Sequence, residues 1–278
     1  MTGRRWRGVQ TAGTRCAVLA ESWSRLVAFV PALRRPVVAL ALIGAVKAGV
    51  LACLLGGWWV AHQWPTGGLV AEGVAILWSG AFMVLGFFPR RASYRQRYGD
   101  LAYERLFFRC VVPFAVGGLT ALFLPILIPG PPVLPTPAAY AAAAYLLVTA
   151  LLMEWRGKAL FWDLDWRAFV YTVFPDRGHV ITSGLFRWLR HPVYSAFVRF
   201  VTAAALIRNN APALGAAALL AAGLTVLAWV EERDLEQREP AYAAYRRRTP
   251  AFFVAWPLPF LRHLVTGVGG EAAHADRR

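Results

Sequence analysis

The chain has 278 residues, of which 58% are apolar and only 16% charged, where a soluble domain of this size carries about a quarter. That deficit, together with several long uncharged runs, excludes an ordinary soluble core and indicates an integral membrane protein. The net charge of +15 is dispersed between apolar runs, with no nucleic-acid motif, so it indicates membrane topology rather than a nucleic-acid partner. Cys16, Cys53 and Cys110 are odd in number and widely spaced, which gives neither a disulfide framework nor a zinc site.

Residues 1–35 hold seven arginines and no long apolar run, and read as a basic N-terminal tail without a secretory signal. Within it, the stretch 19–33 has the composition of a helix lying along the membrane surface. Residues 36–155 read as a scaffold of four transmembrane helices. Pro36 to Ala61 is the first, and Leu69 to Phe88 the second, reached through a turn without Lys or Arg. Cys110 to Ile128 is the third, and Ala138 to Trp155 follows a proline-rich turn as the fourth. This half holds no catalytic constellation.

Residues 156–262 form the candidate catalytic region. An interfacial amphipathic segment, Ala159 to Phe174, carries Trp162, Asp163, Asp165 and Trp166 and is placed to cover a site. Two further spans follow, Val193 to Ile207 and Ala211 to Val230, with Pro192 at the first helical turn where its missing N–H costs nothing. Residues 263–278 read as a flexible tail, and its Gly267-Val-Gly-Gly270 follows no strand and opens no helix. The fold class is therefore all-α: a polytopic bundle of about six transmembrane helices with cytoplasmic amphipathic segments.

Thirty basic residues decide the orientation. All but Lys47, Arg199 and Arg208 fall in the two tails and the two loops that six spans place on one side. That asymmetry puts both termini in the cytoplasm, the membrane being the plasma membrane.

The hairpin made by spans five and six joins two distant clusters of reactive side chains. Arg190, His191, Pro192 and Tyr194 enter it; Glu231 and Glu232 leave it, followed by Tyr242 and Tyr245. A hairpin that crosses a bilayer and returns brings both clusters to one face. His191, Ser195, Arg199 and Thr202 share one face of span five at spacings of four, four and three. Arg199 sits about 10 Å down that span, where an arginine needs a partner or a cavity. It reads either as an anion-binding wall of a substrate tunnel or as a structural pair or an arginine snorkelling to the cytoplasmic rim. Lys47 is a weaker case of the same kind, and Glu72 lies too near the opposite face to pair with it. None of the five histidines sits at a metal-ligand spacing from another, and no zincin motif, nucleophile elbow or phosphate loop is present.

Residues 178–257 resemble the isoprenylcysteine carboxyl methyltransferase and phospholipid methyltransferase superfamily of membrane enzymes. The resemblance rests on Gly184, Arg190-His191-Pro192-Val-Tyr194, Glu231-Glu232-Arg-Asp-Leu235, Tyr242-Ala-Ala-Tyr245 and the closing Pro250 and Pro257. Phe186 stands where the pattern has tyrosine, Ala196 where it has glycine, and residues 227–230 lack the arginine of the prenylcysteine enzymes. The resemblance implies S-adenosylmethionine as cofactor, held by Gly184, Arg190, His191, Pro192, Tyr194, Glu231, Glu232, Tyr242 and Tyr245. It implies Arg199, Glu232 and Tyr194 as candidate catalytic residues. The chemistry agrees: a glutamate suits the cofactor's ammonium, and tyrosines can flank its adenine or sulfonium. The implied acceptor is lipophilic or amphipathic (a prenylcysteine-like carboxylate, a lipid amine or a thiol), taken from among the membrane lipids at the cytoplasmic edge. Two other readings share this hairpin: an NADPH-dependent enone or sterol-type reductase, and a non-enzymatic membrane protein of the same fold.

Overall fold

The computed structural model describes residues 27, 29–157, 172–175, 180, 182, 184–254 and 257–266. Most of the basic tail, the acids and tryptophans of the 159–174 segment, and the stretch from Gly267 lie outside these residues.

Helix α1 (Pro36–Gln63) opens on a proline and runs 28 residues, about 42 Å at helical rise. After a short turn, α2 (Gly67–Gly80) continues through a π-helical stretch (Ala81–Phe87) into α3 (Phe88–Tyr98). Gly99 then takes φ 54°, a backbone state that side chains avoid, and reverses the chain. The return path is α4 (Ala102–Leu106), a second π-helical stretch (Phe107–Val111) and α5 (Val112–Phe123). Both arms extend past the expected ends of spans two and three, because the arginine-rich segment is itself good helix sequence and stops only at the glycine.

Small residues let the two arms approach. A Cβ on Gly117 of α5 would lie 2.5 Å from Ser79 Oγ and 2.9 Å from the Ala75 carbonyl. The neighbouring Trp78 Nε1 and Ser79 Oγ donate to the carbonyls of Pro113 and Phe114 at 3.0 and 3.1 Å. Close backbone approach with polar side chains bridging it is how helices associate where water supplies no driving force.

The second half is built from α6 (Thr136–Gly157), α7 (Pro192–Arg208), α8 (Ala211–Arg238), the short α9 (Tyr242–Arg248) and α10 (Pro257–Thr266). α7 packs on α6 and α8, and α8 in turn on α2. The row Ala213, Ala216, Ala217, Leu220 and Leu224 of α8 is buried in the shared core with Val198, Val201 and Ala205 of α7. No strand occurs among the described residues. Four helical stretches are long and apolar enough to cross a membrane: 36–63, 67–127, 136–156 and 211–238. The second of these is the path that doubles back at Gly99. At 17 residues, or about 26 Å, α7 is shorter than a full crossing of roughly 30 Å.

Arg208, Asn209 and Asn210, which interrupt the apolar hairpin in sequence, fasten its tip. Asn209 adopts φ 52° and closes α7, while its side-chain amide accepts from Leu134 N at 3.0 Å and donates to Leu134 O at 2.8 Å. Asn210 caps α8 through Ala213 N and donates to Ile128 O at 2.9 Å. The proline-rich turn is thereby stitched to the hairpin.

Lys47 is exposed on α1, whereas Glu72 is fully buried on α2, so the two do not pair. The C-terminal helix continues past His263 to Thr266, into the stretch read as tail, because Arg156 of α6 donates to the Leu264 carbonyl at 2.7 Å and also to that of Val265.

Candidate functional site

The chain enters α7 along the extended segment that follows α9. Arg190 N and His191 N donate to the carbonyls of Pro250 and Ala251 at 2.9 and 3.1 Å. His191 then occupies the N-cap of α7 with Pro192 at the first position, so the imidazole stands at the helix entrance. Gly184, at φ 62°, opens the preceding turn.

Glu231 and Glu232, near the C-terminal end of α8, reach this entrance. His191 Nε2 lies 2.8 Å from Glu232 Oε1, and the Tyr194 hydroxyl donates to Glu231 Oε1 at 2.5 Å. The two clusters separated in sequence therefore form one constellation.

The two glutamates differ in their surroundings. Glu232 is buried, with 5% of its side chain exposed, and both oxygens are occupied. Arg190 Nε donates to Oε1 at 2.7 Å and Arg246 Nε meets Oε2 at 3.0 Å. Glu231 keeps 23% of its side chain exposed, and among the described residues the one basic side chain within ion-pair reach is His191, through Nδ1 at 3.7 Å. Glu232 is the hub of a structural ion-pair network, while Glu231 retains capacity for another cation. Helical phase does not separate them, since Glu232 is four residues past buried Ala228 and Glu231 four past buried Leu227; the partners each one reaches make the difference.

Aromatic rings enclose the constellation. The rings of His191 and Tyr194 stack at 5.4 Å with an angle of 2°, and Phe252 leans on His191 at 5.9 Å. Tyr242 and Tyr245 meet edge to face at 5.5 Å. The Tyr245 hydroxyl donates to the Phe186 carbonyl at 2.5 Å. Burial pushes the Tyr245 phenol up to about 12, with Arg190 opposing and Glu232 reinforcing the shift. Burial raises Tyr242 further. Both are hydrogen-bond donors across the ordinary pH range.

Arg199 stands two turns deeper on α7, on the other side of the 250–254 segment. Its Nη1 donates to Ser195 Oγ, to Ser195 O at 3.1 Å and to Phe252 O at 3.3 Å. It lines a cavity of about 180 Å³ with Tyr145, Thr149, Phe253, Phe260 and Leu261. Arg199 thus neighbours the glutamate constellation without touching it.

Several contributors were not singled out from sequence. Arg246 lies in the run Arg246-Arg247-Arg248, which reads only as topology-setting charge. Asp234, just beyond the glutamate pair, binds Arg91 of α3 and Arg238, the latter at 2.7 Å, so the first half of the chain buttresses the site. Tyr145 and Thr149 sit four apart on α6, a spacing that places them on one face. Among the described residues no cluster of His, Cys, Asp or Glu has the makings of a metal site.

Comparison with known proteins agrees with the resemblance drawn from the motifs. Residues 139–238 match the family model described as phospholipid methyltransferase. Comparison with the curated proteins and with the solved structures finds no match. The matched residues run from α6 to the end of α8 and include Tyr145, Arg190, His191, Tyr194, Arg199 and both glutamates. This match, over 100 of the 278 residues, is consistent with the isoprenylcysteine and phospholipid methyltransferase superfamily of membrane enzymes.

Proposed function

We propose that the protein is an integral membrane methyltransferase that uses S-adenosylmethionine to methylate a lipophilic or amphipathic acceptor at the cytoplasmic edge of the membrane. The observation that carries this reading is Glu231: a half-buried carboxylate held by a tyrosine and not neutralised by any arginine among the described residues. Such a group fits an α-ammonium or sulfonium, which a charge-assisted contact would hold. The stacked His191–Tyr194 pair and the tyrosines of α9 offer flat surfaces for the adenine and the cation.

When bound, the cofactor supplies a methyl group on a cationic sulfur for in-line transfer to a nucleophile. The chain's own residues bind, align and keep water out, and alignment in a dry pocket is the larger source of acceleration for such a transfer. Tyr194 orients Glu231. Arg190, Arg246 and His191 hold Glu232 rigidly behind it, which makes Glu232 a positioning residue in this reading rather than one that touches the reacting atoms. The distribution of basic residues supports six passes, counting the two arms of 67–127 separately and α7 as a short crossing, with both termini and the site in the cytoplasm.

Equilibrium binding of S-adenosylmethionine and of NADPH to the detergent-purified full chain tests the proposal. S-adenosylmethionine should bind, and Glu231→Gln should weaken it by roughly tenfold or more while leaving thermal stability near wild type. NADPH binding without S-adenosylmethionine binding would turn the assignment to a reductase. Binding of neither by a folded protein would leave a non-enzymatic member of the family.

A further inference from the structure

We propose that the cavity between α6, α7 and α10 binds the negatively charged head of an amphiphile, with Arg199 as its counter-ion and the apolar tail lying along the outer side of α6 and α10. This deepens the methyltransferase reading by giving the acceptor a charge. It is tested without the methyl donor, so the two can fail separately.

Three observations converge on it. Arg199 is 6% exposed and pairs with no carboxylate among the described residues. A guanidinium carries five N–H groups. The contacts made by Nη1 go to the Ser195 hydroxyl and to the carbonyls of Ser195 and Phe252, which leave the positive charge uncompensated. A buried cation without an anion is among the most expensive arrangements a membrane helix can hold, and it marks a ligand position by default.

The second observation is the space beside it. Among the described residues the cavity of about 180 Å³ has Arg199 as its one charged wall residue; Phe253, Phe260 and Leu261 face it with Tyr145 and Thr149. The ring of Phe253 lies 4.8 Å from the guanidinium carbon, covering one face of the cation and leaving its edge for a planar or tetrahedral anion. This volume admits a carboxylate or phosphate with the first methylenes of a chain, not a whole lipid.

The third is what surrounds the mouth. Tyr145 and Phe253, both cavity walls, are half exposed, and Val148, Leu151 and Leu258 beside them are exposed apolar side chains. In a membrane protein such a surface faces acyl chains. A soluble anion would have to leave water and cross that apolar rim, whereas the head of an amphiphile reaches Arg199 sideways, with its tail remaining in lipid. Phe252 touches both places, its carbonyl accepting from Ser195 and Arg199 and its ring leaning on His191 at 5.9 Å, so the anion site adjoins the proposed methyl-donor site.

Native mass spectrometry of the full chain released from a non-ionic detergent tests this with dodecanoate, dodecyl phosphate, dodecanol and inorganic phosphate as probes. The two anionic amphiphiles should bind roughly tenfold or more tightly than dodecanol, and Arg199→Gln should abolish that preference while Arg199→Lys keeps part of it. Thr149→Leu, which fills the cavity and leaves the arginine in place, should lose dodecanoate binding with an unchanged melting temperature; it carries the test alone if Arg199→Gln does not fold. Equal binding of dodecanol and dodecanoate, a preference that survives Arg199→Gln, or undiminished dodecanoate binding by Thr149→Leu overturns the site. Inorganic phosphate competing as well as dodecyl phosphate overturns the amphiphile.

Discussion

The two halves of the molecule handle buried polar groups in opposite ways. In α1 to α5 the helices meet through glycines, side chain-to-carbonyl bonds and the Arg109–Tyr94 bond, and a buried acid, Glu72, has neither oxygen hydrogen-bonded. In α6 to α10 the buried charges form a connected set: Glu232 alone gathers Arg190, His191 and Arg246, while Asp234 gathers Arg91 and Arg238. The first half is held mainly by fit, the second by fit and by a network of mutually neutralising charges that reaches into the first half through Arg91. Among the described residues the second half also holds, on one hairpin, a carboxylate that meets no arginine, Glu231, and a cation that meets no carboxylate, Arg199.

The largest effect is expected where that network has its hub. Glu232→Ala leaves Arg190, His191 and Arg246 facing one another around an empty position, and an uncompensated buried charge costs about 3–5 kcal/mol. The variant should show a large drop in melting temperature in detergent together with lost cofactor binding. Glu231→Gln should separate the two readouts, with binding lost and the fold kept. Were Glu232→Ala to melt with the wild type, the contrast between the halves would collapse.

A middle-sized effect belongs to the scaffold. Gly117→Leu would drive a side chain into Ser79, Trp78 and the Ala75 carbonyl, and the backbone atom cannot move aside as a flexible side chain could. Overpacking of this kind costs about 1–3 kcal/mol. Thermal melts should show that loss, while dodecanoate binding at Arg199, which touches neither arm, should persist in the protein that remains folded. Loss of binding at temperatures well below the melt would mean that the halves are coupled more closely than their packing indicates.

Motif and spacing in the sequence were enough to place the hairpin, because Arg190-His191-Pro192 and Glu231-Glu232 are local signals at either end of one apolar run. Pro192 at the start of α7 was legible for the same reason, being local chemistry at a helix end. What could not be read depends on contacts between distant elements. Arg246 looks identical in sequence to Arg247 and Arg248, yet only the first meets Glu232, since α9 is seven residues long and presents one side to the site. Tyr145 and Thr149 lie in an alanine-rich helix whose sequence announces nothing but a span. Their part emerges only when the 250–254 segment folds back across α7. The doubling back at Gly99 was likewise placed as a loop, though helix runs up to Tyr98 and resumes at Ala102, with Gly99 at φ 54° between them.

The smallest effect is expected at Glu72, where the contrast between the halves is sharpest. Glu72 is fully buried on α2, its neighbours Gly68 and Ala75 pack against Ile128 and Gly117, and neither of its oxygens has a hydrogen-bond partner. A buried polar group without a partner costs free energy rather than supplying it. Replacing it with an apolar residue of similar volume, Glu72→Leu, removes that cost and breaks no bond, so the melting temperature should stay at or somewhat above that of the wild type. The same substitution at Glu232, equal in burial and identical in chemistry, should unfold the site. A destabilised Glu72→Leu protein would show that the first half also carries a polar contact essential to its packing, and would move Glu72 from the scaffold's remainder to its framework.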